Sequence, residues 1–180
     1  MRIAISGTHR SGKSTLLAAL ASALPRYETV DEPYALMEEE GYEFAHPPSF
    51  EDFVAQLERS ISELGDAGED VLFDRSPLDF LAYLANHEDA DSFELDEWLP
   101  AVREALRGLD LLVFVPIEAP DRIRFSRADD EGESRAAVHE KLEALLLEDP
   151  HELGVEVLVV DGDPETRARA VLRRVTSRGA

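Results

Sequence analysis

Gly7-Thr8-His9-Arg10-Ser11-Gly12-Lys13-Ser14 follows directly on the apolar segment Ile3-Ala4-Ile5 and runs into Thr15-Leu16-Leu17-Ala18-Ala19-Leu20. Gly-x-x-x-x-Gly-Lys-Ser between a strand and the start of a helix is a P-loop. The glycines let backbone N–H groups turn inward around phosphate oxygens, and the helix start adds a positive dipole end. Lys13 supplies a point charge for the β- and γ-phosphates, and Ser14 a hydroxyl for Mg²⁺. Gly7, Arg10, Ser11, Gly12, Lys13, Ser14 and Thr15 are the expected nucleotide-binding residues.

Outward from this motif, the composition sets limits. A chain of 180 residues suits one domain over 1–180 with a sizeable core. Hydrophobic content is 44%, and no apolar run reaches the length of a membrane span. Residues 2–6 already read as the first strand, so no signal peptide is expected, and cytoplasm is the expected compartment. The absence of cysteine excludes disulfides, thiolate metal sites and a Cys nucleophile. The net charge of −21 repels phosphate backbones and anionic lipids, so neither nucleic acid nor membrane is an expected partner. The acidity suits either a high-salt habitat or plain solubility. Lysine is scarce: Lys13 and Lys141 stand against sixteen arginines.

Apolar runs alternate with helical periodicity, which points to an α/β fold with a parallel sheet covered by helices. Strands are expected at Arg2–Ser6, Tyr27–Val30, Val71–Phe73, Leu111–Val115 and Val155–Val160. Helices are expected at Lys13–Leu24, Phe50–Leu64, Pro77–His87, Glu94–Arg107, Ala136–Leu147 and from Pro164 on. Ser49 with Asp52 reads as a helix cap. Gly41–Ser49 and residues 88–92 read as loops. In the last helix Arg167, Arg169, Arg173, Arg174 and Arg178 read as an ordinary solvated face.

In such sheets ligands sit beyond the carboxyl ends of the strands. Those ends carry the P-loop, Asp31-Glu32-Pro33, Asp74-Arg75-Ser76, Pro116-Ile117-Glu118 and Asp161-Gly162-Asp163. Asp74 ends an apolar strand, where it is placed to join Ser14 in holding Mg²⁺. The alternative is a structural ion pair with Arg75, and Ser76 could simply cap the next helix. Phe44, Phe50 and Phe53 are candidates for stacking on an acceptor ring or for core packing. Asp79 and Tyr83 share a helix face near the acceptor side. His46, His87, His139 and His151 lack ligand spacing.

The P-loop, the Glu32-Pro33 pair and Asp74-Arg75-Ser76 together resemble the deoxynucleoside kinase and nucleoside monophosphate kinase superfamily. The segment from Phe73 to Tyr83 resembles, more narrowly, small bacterial kinase-like P-loop proteins known as AAA-domain ATPases, neighbours of ribosylnicotinamide kinase domains. The resemblance spans nearly the whole chain. It implies a three-layer P-loop NTPase with a five-stranded parallel sheet in the order 2-3-1-4-5. It implies that Glu32 takes the proton from an attacking hydroxyl, although a solvent-facing acid is the plain alternative. It assigns Arg75 to acceptor or phosphate oxygens. Arg127 first, then Arg122 or Arg124, would close a lid over the phosphates from residues 120–135, with Arg135 in the same segment. The acidic stretch Ala128–Glu133 departs from the usual lid pattern. Acceptor selectivity is assigned to residues 33–60 and 75–90.

The function expected is ATP-dependent phosphoryl transfer to a small-molecule acceptor, nucleoside- or nucleotide-like, with a homodimer left open. The catalytic set is Lys13, Glu32, Arg75 and Arg127. The alternative is an NTP-hydrolysing regulatory switch with a protein partner. The absence of Asn-Lys-x-Asp weighs against a GTPase.

Overall fold

Parallel strands covered on both faces must be apolar throughout rather than alternating, and three strands here read that way. The computed structural model describes residues 1–118 and 131–178. Strands β1 (Arg2–Ser6), β2 (Glu28–Val30), β3 (Val71–Asp74), β4 (Leu111–Phe114) and β5 (Val157–Val159) form one sheet in the order β2-β3-β1-β4-β5. Every pairing is parallel, with Ile5 opposite Asp74 and Ser6 opposite Phe114 in the register. The expected sheet order holds.

Alternate residues of the central strands face opposite layers. Ile3, Ile5, Leu111, Val113 and Val115 pack with Leu16, Leu20 and Val171, under α1 (Lys13–Ala23) and α7 (Pro164–Arg178). Leu112 and Phe114 face the other way, onto Leu57, Leu81, Val102 and Leu142. That layer comprises α3 (Phe50–Asp66), α4 (Pro77–Leu84), α5 (Leu95–Arg107) and α6 (Glu131–Glu143). Ala4 lies on the same side, where its small side chain leaves room for Phe73, Leu64 and Ala105. Helix α6 continues into a π-helical turn, Ala144–Glu148. Among the described residues no helix is long and apolar enough to cross a membrane.

Several boundaries differ from expectation. Strand β2 starts one residue late, β5 keeps only the middle of Val155–Val160, and α4 stops at Leu84. The segment before the Gly41–Ser49 loop is a helix, α2 (Pro33–Glu39). Pro33 opens it at the first turn, where a missing N–H costs nothing. Residues 131–135 are helical rather than lid loop, and residues 90–92 make one short turn of 3₁₀ helix.

Two capping boxes fix helices α3 and α4. Asp52 accepts from Ser49 N at 2.8 Å, and Asp52 N donates to Ser49 Oγ at 3.2 Å. Asp52 also accepts from Ala45 N and the Tyr42 hydroxyl, both at 3.0 Å. Burial opposes its charge, but these donors outweigh it and hold the carboxyl below the ordinary range. One carboxylate thus pins the whole 42–49 loop to α3. The second box, Ser76 with Asp79 on α4, lies in the candidate site.

Candidate active site

The P-loop backbone adopts conformations that its residue types permit. Gly7 has φ +153, and a Cβ there would lie 2.5 Å from Val115 O. Gly12 has φ +97, and a Cβ there would lie 2.9 Å from an Arg167 Nη. Gly7 is needed for its φ and for its close approach to backbone, and Gly12 for its left-handed φ. Arg10 is exposed with φ +57. Among the described residues the buried Ser11 and Thr8 hydroxyls have no hydrogen-bond partner. Ser14 and Thr15 open α1 and are exposed. Lys13 is buried and donates to Thr8 O at 3.0 Å. Burial first, and Arg75 second, lower its pKa to about 8, against the opposing pull of Asp79, Asp74 and Glu32.

Three strand ends meet around Arg75. Its backbone is left-handed, φ +85, a conformation that costs a non-glycine residue about 1–3 kcal/mol and persists only where surroundings fix it. Here Arg75 N donates to Ile5 O at 3.0 Å. Its Nε donates to Glu32 Oε2 at 2.9 Å, and its Nη1 to Gly7 O at 3.3 Å and Asp79 Oδ1 at 3.4 Å. The guanidinium also lies over the Tyr83 ring, 5.5 Å from the centroid. Burial works against its charge, but Tyr83, Asp79 and Glu32 more than compensate and push its pKa up. The ion pairs of Arg75 run to Glu32 and Asp79, so the structural Asp74–Arg75 pair considered from the sequence is not the arrangement found.

Glu32 is the N-cap residue of α2, about a third exposed. Burial opposes its ionisation; the charge and hydrogen bond of Arg75, then Lys13, overcome this and hold its carboxyl below the ordinary range. Asp79, expected to face the acceptor, is instead fully buried. It accepts from Gly7 N at 3.0 Å and Ser76 N at 3.0 Å, tying the P-loop entry to the start of α4. The Ser76-x-x-Asp79 spacing was the signal for that role. Ser76, the N-cap residue of α4, has its Oγ 2.8 Å from Ser6 Oγ and 3.2 Å from Asp79 Oδ2, to which it donates.

Asp74 and Ser14 come together: the Ser14 hydroxyl donates to Asp74 Oδ2 at 3.3 Å. Asp74 Oδ1 is buried and has no partner among the described residues. Burial raises the Asp74 pKa, against Lys13 and Arg75. An unpartnered carboxylate oxygen beside a hydroxyl is a hard-oxygen donor set that fits Mg²⁺. Among the described residues no group of three or more His, Asp or Glu could hold a metal by itself, which leaves the rest of the shell to phosphate oxygens and water.

Two arginines reach the P-loop from outside. Arg135, expected in a lid, is buried on α6 and donates from Nε to His9 O at 2.8 Å. Arg167, expected on a solvated face, is buried and donates to Ser11 O at 2.9 Å and Glu118 Oε1 at 2.8 Å. Arg174 pairs with Glu156 at 2.5 Å, while Arg169 and Arg173 stay exposed. The reading of the α7 arginines as one exposed stripe is therefore corrected. Helical spacing could not reveal that the first turn of α7 passes under Gly12. Replacing Arg167 by Met is expected to destabilise the protein by about 1–3 kcal/mol, through lost charge-assisted hydrogen bonds; urea unfolding measures it. Arg122, Arg124 and Arg127 lie outside the described residues.

Aromatic rings cluster where α2, α3 and α4 meet. Phe53 stacks on Tyr83 with centroids 5.0 Å apart and planes at 5°. Phe44 is buried and stacks on Tyr34 at 4.2 Å. Phe50 is edge-on to His87 at 5.6 Å.

A family model described as an AAA domain matches residues 2–167. A comparison with curated proteins gives no match. Among solved structures, deoxyadenosine kinase from M. mycoides with dCMP and dCDP has a TM-score of 0.69 at 21% identity, covering 98% of this chain and 100% of that one. Thymidylate kinase from Candida albicans has a TM-score of 0.62 at 14% identity, covering 99% and 92%. NadR protein in complex with NR has a TM-score of 0.64 at 19% identity, covering 98% of this chain and 50% of that chain. These likenesses are of fold. The family match takes in the P-loop, Glu32, the Asp74-Arg75-Ser76 triplet and Arg167, and by it the chain belongs to the AAA domain family.

Proposed function

We propose that this protein transfers the γ-phosphoryl group of ATP to a hydroxyl of a small, ring-bearing acceptor of nucleoside or nucleotide type. The observation that carries this reading is the Glu32–Arg75–Gly7 bridge, which holds a carboxylate from the end of β2 beside the P-loop. A carboxylate so placed can receive the proton of an attacking hydroxyl, and an acceptor is what distinguishes a kinase from an NTP-hydrolysing switch. The Phe53–Tyr83 wall next to Arg75 offers an aromatic face of the kind a flat ring packs against.

In this reading the P-loop amides and Lys13 hold the β- and γ-phosphates and offset their charge. Arg75 positions Glu32 and keeps it ionised. Glu32 then takes the hydroxyl proton as the acceptor oxygen attacks phosphorus and ADP leaves. Ser14 and Asp74 would hold Mg²⁺, which when bound screens phosphate charge. Arg127 is proposed to supply further positive charge from the lid segment. The test is an ATP-consumption screen over nucleosides, nucleotides and small alcohols. Acceptor-dependent ADP release with a phosphorylated product supports the proposal. Hydrolysis that no acceptor stimulates overturns it in favour of the switch.

Lys13 gives a second check. Its pKa of about 8 leaves a part of the lysines neutral at pH 8.5, and a polyphosphate favours the charged form. Nucleotide binding at pH 8.5 is therefore expected to take up protons, and affinity to fall as pH rises above 8. Calorimetry in two buffers of different ionisation enthalpy measures the uptake. Binding without proton exchange at that pH contradicts the assignment.

A further inference from the structure

The layer formed by α3 to α6 contains a small cavity apart from the site described above. It holds about 170 Å³ and lies between α4, the start of α5 and the π-helical turn after α6. Leu81, Phe93, Leu95 and Leu145 form most of its apolar wall, and Lys141 and His151 are its polar lining residues. An apolar cavity of similar size, roughly 150 Å³, stays dry and accepts a benzene molecule. The cavity is therefore large enough for one ring or a short aliphatic chain.

Its polar lining is unusual for this chain. Lys141 is one of two lysines in a protein of net charge −21, and the other is the P-loop lysine. It is exposed, and it makes no ion pair among the described residues. In a chain with 39 acidic residues, a cation left without an acid beside an apolar cavity is available to a ligand. A π-helical turn, Ala144–Glu148, supplies part of the wall; such turns occur often at functional sites. The neighbouring backbone is held in place, with Arg103 donating to His151 O at 2.9 Å.

We propose that this cavity binds a small monocarboxylate whose apolar body is about the size of a benzene ring, with the carboxylate on Lys141. One cation suits one negative charge. A phosphate would bring a second negative charge that a single lysine does not offset. A neutral hydrocarbon would fill the wall but leave Lys141 unused. The proposal does not depend on the kinase reading, because no residue of the P-loop or the Arg75 cluster lines the cavity.

The experiment titrates the intact protein, without nucleotide, with benzoate and with benzamide, its neutral counterpart of nearly the same shape. Binding is followed by calorimetry and by the ring resonances of His151. Benzoate is expected to bind saturably with Kd of ~1 mM or better, within the range open to a ligand of this size, and to shift His151. Lys141→Gln is expected to weaken benzoate at least tenfold, the loss of one charge-assisted bond, and to leave benzamide unchanged. Ala85→Leu, at an exposed position on the cavity lining, is expected to weaken both ligands. Matching unfolding temperatures show that the variants retain the fold. The proposal is overturned by non-saturable binding, by benzamide binding as tightly as benzoate, by unchanged benzoate affinity in either variant, or by saturation that leaves His151 unmoved.

Discussion

Glu32→Gln is expected to lower acceptor-dependent phosphoryl transfer by ~10²–10⁴-fold, the usual contribution of a positioned general base, while ATP affinity changes little. Gln keeps the size of the side chain and can still accept a hydrogen bond from Arg75 Nε through its amide oxygen. What it loses is the ability to hold a proton. In the wild type, the Arg75 charge and hydrogen bond keep Glu32 ionised despite its burial, so the carboxylate is in its proton-accepting form at neutral pH. The limb of activity that depends on Glu32 should therefore fall only at acid pH, below the ordinary carboxylate range. A variant with unaltered turnover would remove Glu32 from the mechanism, and loss of ATP binding in step with turnover would make it structural. Steady-state rates with separate ATP binding curves distinguish these results.

How much of this site was legible in the sequence follows from which interactions are local. The P-loop lies within one strand, turn and helix, so its spacing alone located the nucleotide end. Apolar runs such as Leu111–Phe114 marked central strands, because a parallel strand is buried on both faces. The capping pairs Ser49–Asp52 and Ser76–Asp79 could be read for the same reason. Asp79 shows the limit: its cap was implied by spacing, but its bond to Gly7 N joins residues 72 positions apart. Arg75 depends on long-range partners and on a left-handed backbone that its residue type does not advertise. Arg167 is the clearest case, since α7 carries five arginines and periodicity gives no reason to single out the one whose first-turn position brings it beneath Gly12. Helix α2 was hidden because Pro33 reads equally well as the end of a strand or the first residue of a helix.

Lys13→Met is expected to reduce turnover by ~10³-fold, in the upper range for removing one preorganised charge from a transition state, and at the same time to raise stability at neutral pH. The two effects have one cause. Lys13 is buried, and its pKa falls from 10.5 to about 8, so the folded protein disfavours the cation relative to the unfolded chain. That difference corresponds to at most about 3.4 kcal/mol when each pKa unit is worth 1.36 kcal/mol. The methionine stem fills similar space without a charge, and removal of the hydrogen bond to Thr8 O offsets part of the gain. The sign with pH follows from linkage. Below pH 8 both states of the wild type hold the proton and the whole penalty stands. Between about pH 8 and 10.5 only the unfolded wild type still binds it, so wild-type stability recovers as pH rises. The advantage of Lys13→Met should therefore be largest below pH 8 and shrink through that window. Denaturant unfolding of both proteins at several pH values measures it. A variant less stable than wild type at pH 7, or one with a pH-independent difference, would show that the lysine is held for structure. The expected outcome instead places a strained, desolvated charge at the P-loop, relieved when phosphate binds, as a site that exchanges stability for function would have it.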